Sequence, residues 1–222
     1  MDHLQTLPTG KDKIKFLVIE GNIGAGKTSL VTRIADLYNA KRIYERFADN
    51  PFLPKFYENP ERYSFSLELS FLAERYHQLK KELENLDLFS SFTIADYYFM
   101  KSLIFSRSTL QDDEYSLYRQ LFNIIYGTLP RPDLYVYLHV SVENLMKNIK
   151  IRGRSYEQNI QAEYLFSIQE GYLNFFKQQS DLAILVIDTN NLDFVNNPDH
   201  FNNIMKTIFE KKYPLGITSV TY

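Results

Sequence analysis

Gly21-Asn22-Ile23-Gly24-Ala25-Gly26-Lys27-Thr28 matches the pattern G-x-x-x-x-G-K-[ST] at each required position. The octet follows an apolar run, Phe16-Leu17-Val18-Ile19, and opens an amphipathic stretch from Ser29 to about Asn39. Strand, glycine loop and helix N-terminus therefore occur in the order the motif requires. The glycines let the backbone curl until successive N–H groups point inward at phosphate oxygens. Lys27 then reaches the β- and γ-phosphates as a point charge, and the Thr28 hydroxyl holds Mg²⁺. The plainer alternative is a glycine turn with a surface lysine, and it gives no reason for the flanking strand and amphipathic helix.

Working outward from the loop, strand and helix patterns alternate to the end of the chain. Strand one covers Ile14–Glu20, and the helix after it carries Leu30, Ile34 and Leu37 at helical spacing. A short strand at Arg42–Tyr44 leads into Glu45, and Pro51 and Pro54 mark a turn and a short helix. A long helix is expected from Ser64 to Leu86, with Phe71, Leu72, Tyr76, Leu79 and Leu83 on its apolar side. Phe92–Ala95 reads as a buried strand ending at Asp96. In the helix Asp113–Leu129 the expected buried stripe is Leu117, Leu121, Ile124 and Ile125, and Pro130 and Pro132 stop it.

Leu134–Val140 is the next strand, Val142–Ile151 a helix running into a basic turn, and Ala162–Gln178 another helix. The last expected strand is Ala183–Asp188, followed by a polar loop, Thr189–Pro198, and a closing helix with Phe201, Ile204, Ile208 and Phe209. Five strands with helical crossovers imply an α/β fold, a parallel sheet with helices on both faces. With no linker, repeat or low-complexity block, residues 1–222 are expected to form one domain, residues 1–12 being flexible.

Composition narrows the chemistry. A formal net charge of −2 supplies no field to recruit nucleic acid or anionic membrane, so neither partner is expected. The absence of cysteine excludes disulfides, thiolate catalysis and thiolate zinc sites. His3, His77, His139 and His200 show no ligand spacing. No apolar signal core or membrane-length run is present, so a cytoplasmic protein is the simplest expectation.

A phosphate loop alone leaves motor, GTPase, nucleotide kinase and nucleoside kinase open. Asp96, at the end of a buried strand, fits an acidic partner of hydrated Mg²⁺, the alternative being a helix cap. Arg152-Gly153-Arg154 can close over a phosphate chain, although a basic helix end is also favoured by the helix dipole. Glu45 can accept a proton from an attacking hydroxyl, or be one more loop glutamate. Phe56, Tyr57, Leu67 and Phe71 offer a flat base a set of apolar surfaces while Glu68 reads its edge; ordinary core packing is the competing account.

Taken in order, these elements resemble the deoxyribonucleoside kinase family, from about Lys13 to Lys212. The phosphate loop with its Asn-Ile-Gly interior, the run Asn59–Tyr63, and the segment from Arg152-Gly153-Arg154-Ser155-Tyr156-Glu157 to Glu163-Tyr164-Leu165 carry the likeness. The resemblance implies the P-loop kinase fold with an arginine lid, usually a homodimer. It implies Mg²⁺-ATP-dependent phosphorylation of a deoxynucleoside 5′-hydroxyl in nucleotide salvage. Glu45 would then be the general base, Tyr57 and Glu157 the partners of the sugar 3′-hydroxyl, and Arg152 and Arg154 the lid. Asp96 would contact the metal, and the loop around Asp193-Phe194-Val195 would wrap the adenine of ATP.

Two departures bear on the site. Where the family has acid-Arg-Ser, this chain has Asp96-Tyr97-Tyr98; Lys101, about one helical turn after Tyr97, is expected to replace the missing charge in part, the alternatives being a slow site or the folding-in of Arg75 or another cation. Where the family often has glutamine, this chain has Glu68; an ionised glutamate only accepts, which suits the adjacent donors of guanine and leans the substrate toward purines. A nucleoside monophosphate kinase of the thymidylate type and a non-catalytic nucleotide-binding relative remain the rival readings.

Overall fold

The computed structural model describes residues 14–46, 50–85, 87 and 89–222. The expected flexibility of residues 1–12, the start of the family likeness at Lys13 and the expected helix end at Leu86 lie outside these residues.

Alternate residues of the first strand feed two separate cores. In β1 (Phe16–Gly21), Leu17 and Ile19 pack on one face of the sheet and Phe16 and Val18 on the other. A strand buried on both faces has no polar alternation, which is why β1 reads as a continuous apolar run. The chain continues through α1 (Lys27–Tyr38), β2 (Lys41–Ile43), α2 (Leu53–Glu58), α3 (Pro60–Glu84), β3 (Thr93–Ala95), α4 (Met100–Thr109) and α5 (Asp112–Tyr126). Then follow β4 (Leu134–His139), α6 (Val142–Arg152), a 3₁₀ turn (Ser155–Glu157), α7 (Ala162–Lys177), β5 (Ala183–Asp188), α8 (Pro198–Phe209) and β6 (Gly216–Val220).

The sheet order is β2-β3-β1-β4-β5-β6 and every pairing is parallel. Helices α1, α6 and α8 cover one face through Leu30, Ile34, Leu145, Ile149, Ile204 and Ile208. Helices α3, α4, α5 and α7 cover the other through Leu72, Leu79, Ile104, Tyr118, Phe122 and Tyr172. Each fully buried aliphatic side chain contributes about 2 kcal/mol through removal from water. The connection after β1 runs to β2 on one side, and the connection after β3 crosses to β4 on the other, so a crevice opens beside β1 at the carboxyl end of the sheet.

Several sequence expectations are corrected. The sheet has six strands, not five. β6 escaped notice because an edge strand of alternating half-buried and exposed residues carries little apolar signal. α4 was not expected either: Lys101, Ser102 and Ser106 are buried along with Ile104 and Phe105, so the helix has no polar face to set a period.

α1 begins at Lys27, two residues before the expected start, with Gly26 as a left-handed N-cap. α3 begins at Pro60, because the Asn59 side chain accepts the Arg62 N–H at 3.3 Å and Pro60 takes the first helical position. In α5, Leu117 and Ile124 are exposed, and Tyr118 and Phe122 are buried instead. The stripe turns because Phe99 stacks on Phe122, centroids 4.9 Å apart, and Tyr126 stacks behind it, drawing the aromatic side of the helix inward.

Candidate active site

The phosphate loop leaves the carboxyl end of β1 and curls back into α1. Gly24 and Gly26 have φ of 84° and 83°, a backbone region that favours glycine. A Cβ on Gly26 would also stand 2.7 Å from the Phe194 ring. The unpaired N–H groups of the first turn of α1 therefore face the crevice at the loop. The Asn22 side chain pins the loop from beneath: its amide donates to the Leu165 carbonyl at 2.7 Å and its oxygen accepts the Ile23 N–H at 2.8 Å. Lys27 lies back over this loop and donates to the Asn22 carbonyl at 2.9 Å. Removal from water and the charge of Lys101 push its ammonium down to about 8.

Three loops at the carboxyl edge meet at Asp96. The Thr28 hydroxyl donates to Asp96 Oδ2 at 2.6 Å, and the Glu45 N–H donates to Oδ1 at 2.8 Å. Thr28 and Asp96 offer oxygen donors alone, the set that suits a hard cation such as Mg²⁺, which takes one or two protein ligands beside phosphates and water. Among the described residues there is no cluster of three or more His, Cys, Asp or Glu that could form an all-protein metal cage. Beneath the loop, Glu20 is fully buried and accepts the Tyr98 N–H and the Tyr172 hydroxyl, both at 2.9 Å. Burial pushes its carboxyl above the ordinary range.

Glu45 stands at the centre of a buried charge cluster. Arg75 donates to Glu45 Oε1 through Nε at 2.9 Å and Nη2 at 2.7 Å, and Lys101 Nζ lies 2.5 Å from Oε2. Arg75 also donates to the Ser102 hydroxyl at 2.9 Å and lies over the Phe71 ring, 4.7 Å from its centroid. Burial alone would raise the Glu45 carboxyl, but Lys101 and Arg75 reverse that and hold it at about 2. Both cations expected to replace the charge missing after Asp96 are thus engaged with Glu45. Tyr97 does not take part: its hydroxyl donates to Gln78 Oε1 at 2.9 Å. Of a carboxylate's four acceptor positions, Arg75 fills two on Oε1 and Lys101 one on Oε2, which leaves Oε2 one position for a further donor.

Two cavities open at this edge. The first is lined by Glu45, Phe56, Tyr57, Glu68, Phe71, Arg75, Lys101 and Glu157, among others. The second is lined by Gly24 to Ser29 and by Asp193, Phe194 and Val195. Lys27, Thr28, Arg152 and Arg154 line both, and so mark where they join. Arg152 and Arg154, on either side of the αL residue Gly153, both pair with the buried carboxylate of Glu157, the second at 3.2 Å.

Most residues expected at the site come together here. Gly21 and Asn22 line neither cavity, Gly21 lying against Leu138 and Asn22 pinning the loop from beneath, and Ile23 lines the first cavity, not the second. Leu67 is also absent from the cavity wall: it packs behind, in a small cluster with Leu53, Phe56 and Phe71. The sequence reading missed Leu53, Phe105 and Tyr164 in the first cavity and Asn144, Asn148 and Asn190 in the second. It also missed Arg33, which stacks on Phe201 at 3.9 Å and donates to the Phe194 and Val195 carbonyls, clamping the loop over Gly26. Nothing in residue spacing marks these positions, because each depends on contacts between distant segments.

A profile described as deoxynucleoside kinase matches residues 17–212. The chain is 35% identical over 199 residues to a deoxyguanosine kinase of Bacillus subtilis, covering 88% of this chain and 96% of the relative. It is 29% identical over 212 residues to a deoxyadenosine kinase of Lactobacillus acidophilus, covering 91% and 99%. Among solved structures, deoxyadenosine kinase from M. mycoides, with products dCMP and a flexible dCDP bound, superposes with a TM-score of 0.77 at 27% identity, covering 88% of this chain and all of that one.

Proposed function

The chain belongs to the deoxynucleoside kinase family, and from that premise we propose how its two cavities divide the reaction and which nucleosides it takes. The activity is ATP-dependent phosphorylation of a deoxyribonucleoside at its 5′-hydroxyl, yielding the 5′-monophosphate and ADP. In our reading the donor occupies the cavity of Gly24–Ser29 and Asp193–Val195, and the nucleoside occupies the cavity of Glu45. The observation that carries this reading is the junction: Lys27, Thr28, Arg152 and Arg154 line both cavities.

Arg152 and Arg154, released from Glu157 as the sugar 3′-hydroxyl engages that carboxylate and Tyr57, turn to the phosphates and stabilise the charge spreading over the γ-phosphoryl oxygens. Glu45 accepts the 5′-hydroxyl at the remaining position of Oε2 and holds the oxygen in line with phosphorus. A carboxylate held near 2 is a weak base. It therefore collects the proton late, once the new O–P bond has begun to form and the bond to the β-phosphate oxygen is breaking. Thr28 and Asp96 would hold Mg²⁺, which neutralises charge on the β- and γ-phosphates when bound with ATP. Closure of the lid excludes water that would otherwise divert ATP to hydrolysis.

Purine deoxynucleosides are the proposed substrates, supported by the guanosine- and adenosine-type relatives and by Glu68 in the acceptor cavity. A monophosphate acceptor is disfavoured because the cavity's own cations, Arg75 and Lys101, are committed to Glu45. An ADP-release assay over the four natural deoxynucleosides and their monophosphates is expected to give turnover with deoxyguanosine and deoxyadenosine and none with the monophosphates. Turnover confined to monophosphates would replace this reading with a nucleotide kinase. ATP binding without any transfer would leave a non-catalytic relative.

A homodimer is part of the same proposal. Leu117 and Ile124, two helical turns apart on one side of α5, are exposed apolar side chains that a second copy would cover. The expected solution mass is twice the 26.2 kDa chain, and a monomer at micromolar concentration would remove this element. A cytoplasmic location is proposed alongside it. No helix among the described residues is long and apolar enough to cross a membrane.

A further inference from the structure

One atom of the acceptor cavity has no partner among the described residues. Glu68 sits on the buried side of α3 at 3% exposure and lines the cavity with Phe56, Phe71 and Tyr164. The Thr109 hydroxyl donates to its Oε1 at 2.8 Å, and the Tyr118 hydroxyl donates to its backbone carbonyl at 3.3 Å. Its Oε2 is buried and makes no hydrogen bond. A buried polar atom left unpaired is costly, and a ligand that pairs it recovers that cost. The Thr109 hydroxyl also reaches the Phe105 and Ser106 carbonyls at 3.2 and 3.4 Å, but its shortest contact is Oε1; while it donates there, a proton carried by the carboxyl sits on Oε2, the unpartnered oxygen.

We propose that Glu68 is a two-state reader of the purine edge, selecting guanine when ionised and adenine when protonated. The inference rests on the kinase reading above and concerns the base that this acceptor cavity takes. An ionised carboxylate is acceptor-only, and it meets the adjacent N1–H and N2–H donors of guanine. The same carboxylate would set a lone pair against N1 of adenine. A neutral carboxyl presents one donor and one acceptor side by side, as a glutamine amide does. Its Oε2–H then donates to adenine N1 while Oε1 accepts from the N6 amino group. Cytosine presents the same pair through N3 and N4.

The surroundings keep both states within reach. Burial pushes the carboxyl up to about 7, partly opposed by Arg75 on the same helix and by Thr109 and Lys101 on α4; Glu45, beyond Arg75, acts in the raising direction. Tyr118 from α5 and Tyr164 from α7 also face it, and both remain neutral phenols because burial raises them further. The remaining charged groups lining the cavity are Arg152 and Arg154, paired with Glu157, Lys27 on the Asn22 carbonyl, and Asp96, which accepts from the Thr28 hydroxyl and the Glu45 N–H.

The test compares kcat/KM for deoxyguanosine and deoxyadenosine on the same enzyme from pH 6 to pH 8. Ionisations of Glu45, of Lys27 and of ATP affect both substrates and cancel in the ratio. If each base uses only one state of Glu68, the ratio tracks ionised over protonated carboxyl and rises roughly tenfold per pH unit in favour of deoxyguanosine. Glu68→Gln, with one fixed donor and one fixed acceptor, is expected to give a ratio that does not change with pH and favours deoxyadenosine. A thermal melt of the variant verifies that it is folded. Turnover with a pH-independent ratio in the unaltered enzyme overturns this inference alone, as does the same slope persisting in Glu68→Gln. Absence of turnover with every nucleoside overturns the kinase reading and this inference with it.

Discussion

Glu45→Gln is expected to lower kcat by about 10²- to 10⁴-fold, the range a positioned acid–base group contributes, while KM for ATP changes little. Arg75 and Lys101 jointly hold this carboxylate, with contacts of 2.7 and 2.5 Å. Its amide replacement keeps the shape and loses the charge. Two consequences follow, and they separate in experiment. The chemical step loses the acceptor that holds the 5′-hydroxyl in line, so kcat and kcat/KM fall together. The fold loses the counter-charge of two buried cations, which costs roughly 3–5 kcal/mol when one partner of a buried pair is removed. Steady-state kinetics well below the variant's melting temperature isolate the first effect, and the drop in Tm measures the second. A variant whose KM alone rises would mean that Glu45 binds the sugar without taking part in transfer.

Lys27→Ala is expected to reduce turnover by about 10³-fold or more, comparable with removing a dominant electrostatic stabiliser of the transferred group. Lys27 lines both cavities, and without phosphate its ammonium rests on the Asn22 carbonyl at 2.9 Å. That contact is a parking position inside the loop, so the side chain is already within reach of phosphates laid on the same loop. Withdrawal from water beside Lys101 pushes its ammonium down to about 8, and an anionic phosphate chain laid on the loop would raise it again. The loop's shape comes from Gly24, Gly26 and the Asn22 hydrogen bonds, not from the lysine, so the variant should fold normally. Retained nucleoside binding with abolished transfer, measured by calorimetry and ADP release on one preparation, is the expected pattern. Near-normal kcat would remove Lys27 from the transition state.

Some of this site is legible because its logic is local. The phosphate loop needs eight consecutive residues, a strand before and a helix after, and each is visible in residues 16 to 39. The arginine turn is equally local, Arg152 and Arg154 being separated by one glycine that closes α6 in the left-handed conformation. Glu68 stands out because the family the sequence resembles often has glutamine at that position.

The remaining parts are pairings between distant segments, which periodicity does not encode. Arg75 reaches Glu45 across 30 residues, Lys101 across 56, and Thr28 reaches Asp96 across 68. On a helix taken alone, Arg75 looks like a solvated charge between Phe71 and Leu79; folded, it is 4% exposed and bound to a carboxylate. α4 hid its helical character because its polar residues Lys101, Ser102 and Ser106 are buried with its apolar ones, and α5 turned its stripe because Tyr118 and the Phe99-stacked Phe122 face the core. The amino-acid sequence by itself determined the parallel α/β order and the glycine loop between β1 and α1, since each follows from contiguous backbone conformation, whereas the reading of the basic turn as a lid came from the family resemblance. Only the tertiary structure decided which cations hold Glu45 and which oxygen of Glu68 stays unpaired. Those depend on desolvation and on distances between elements that meet only when the sheet is assembled.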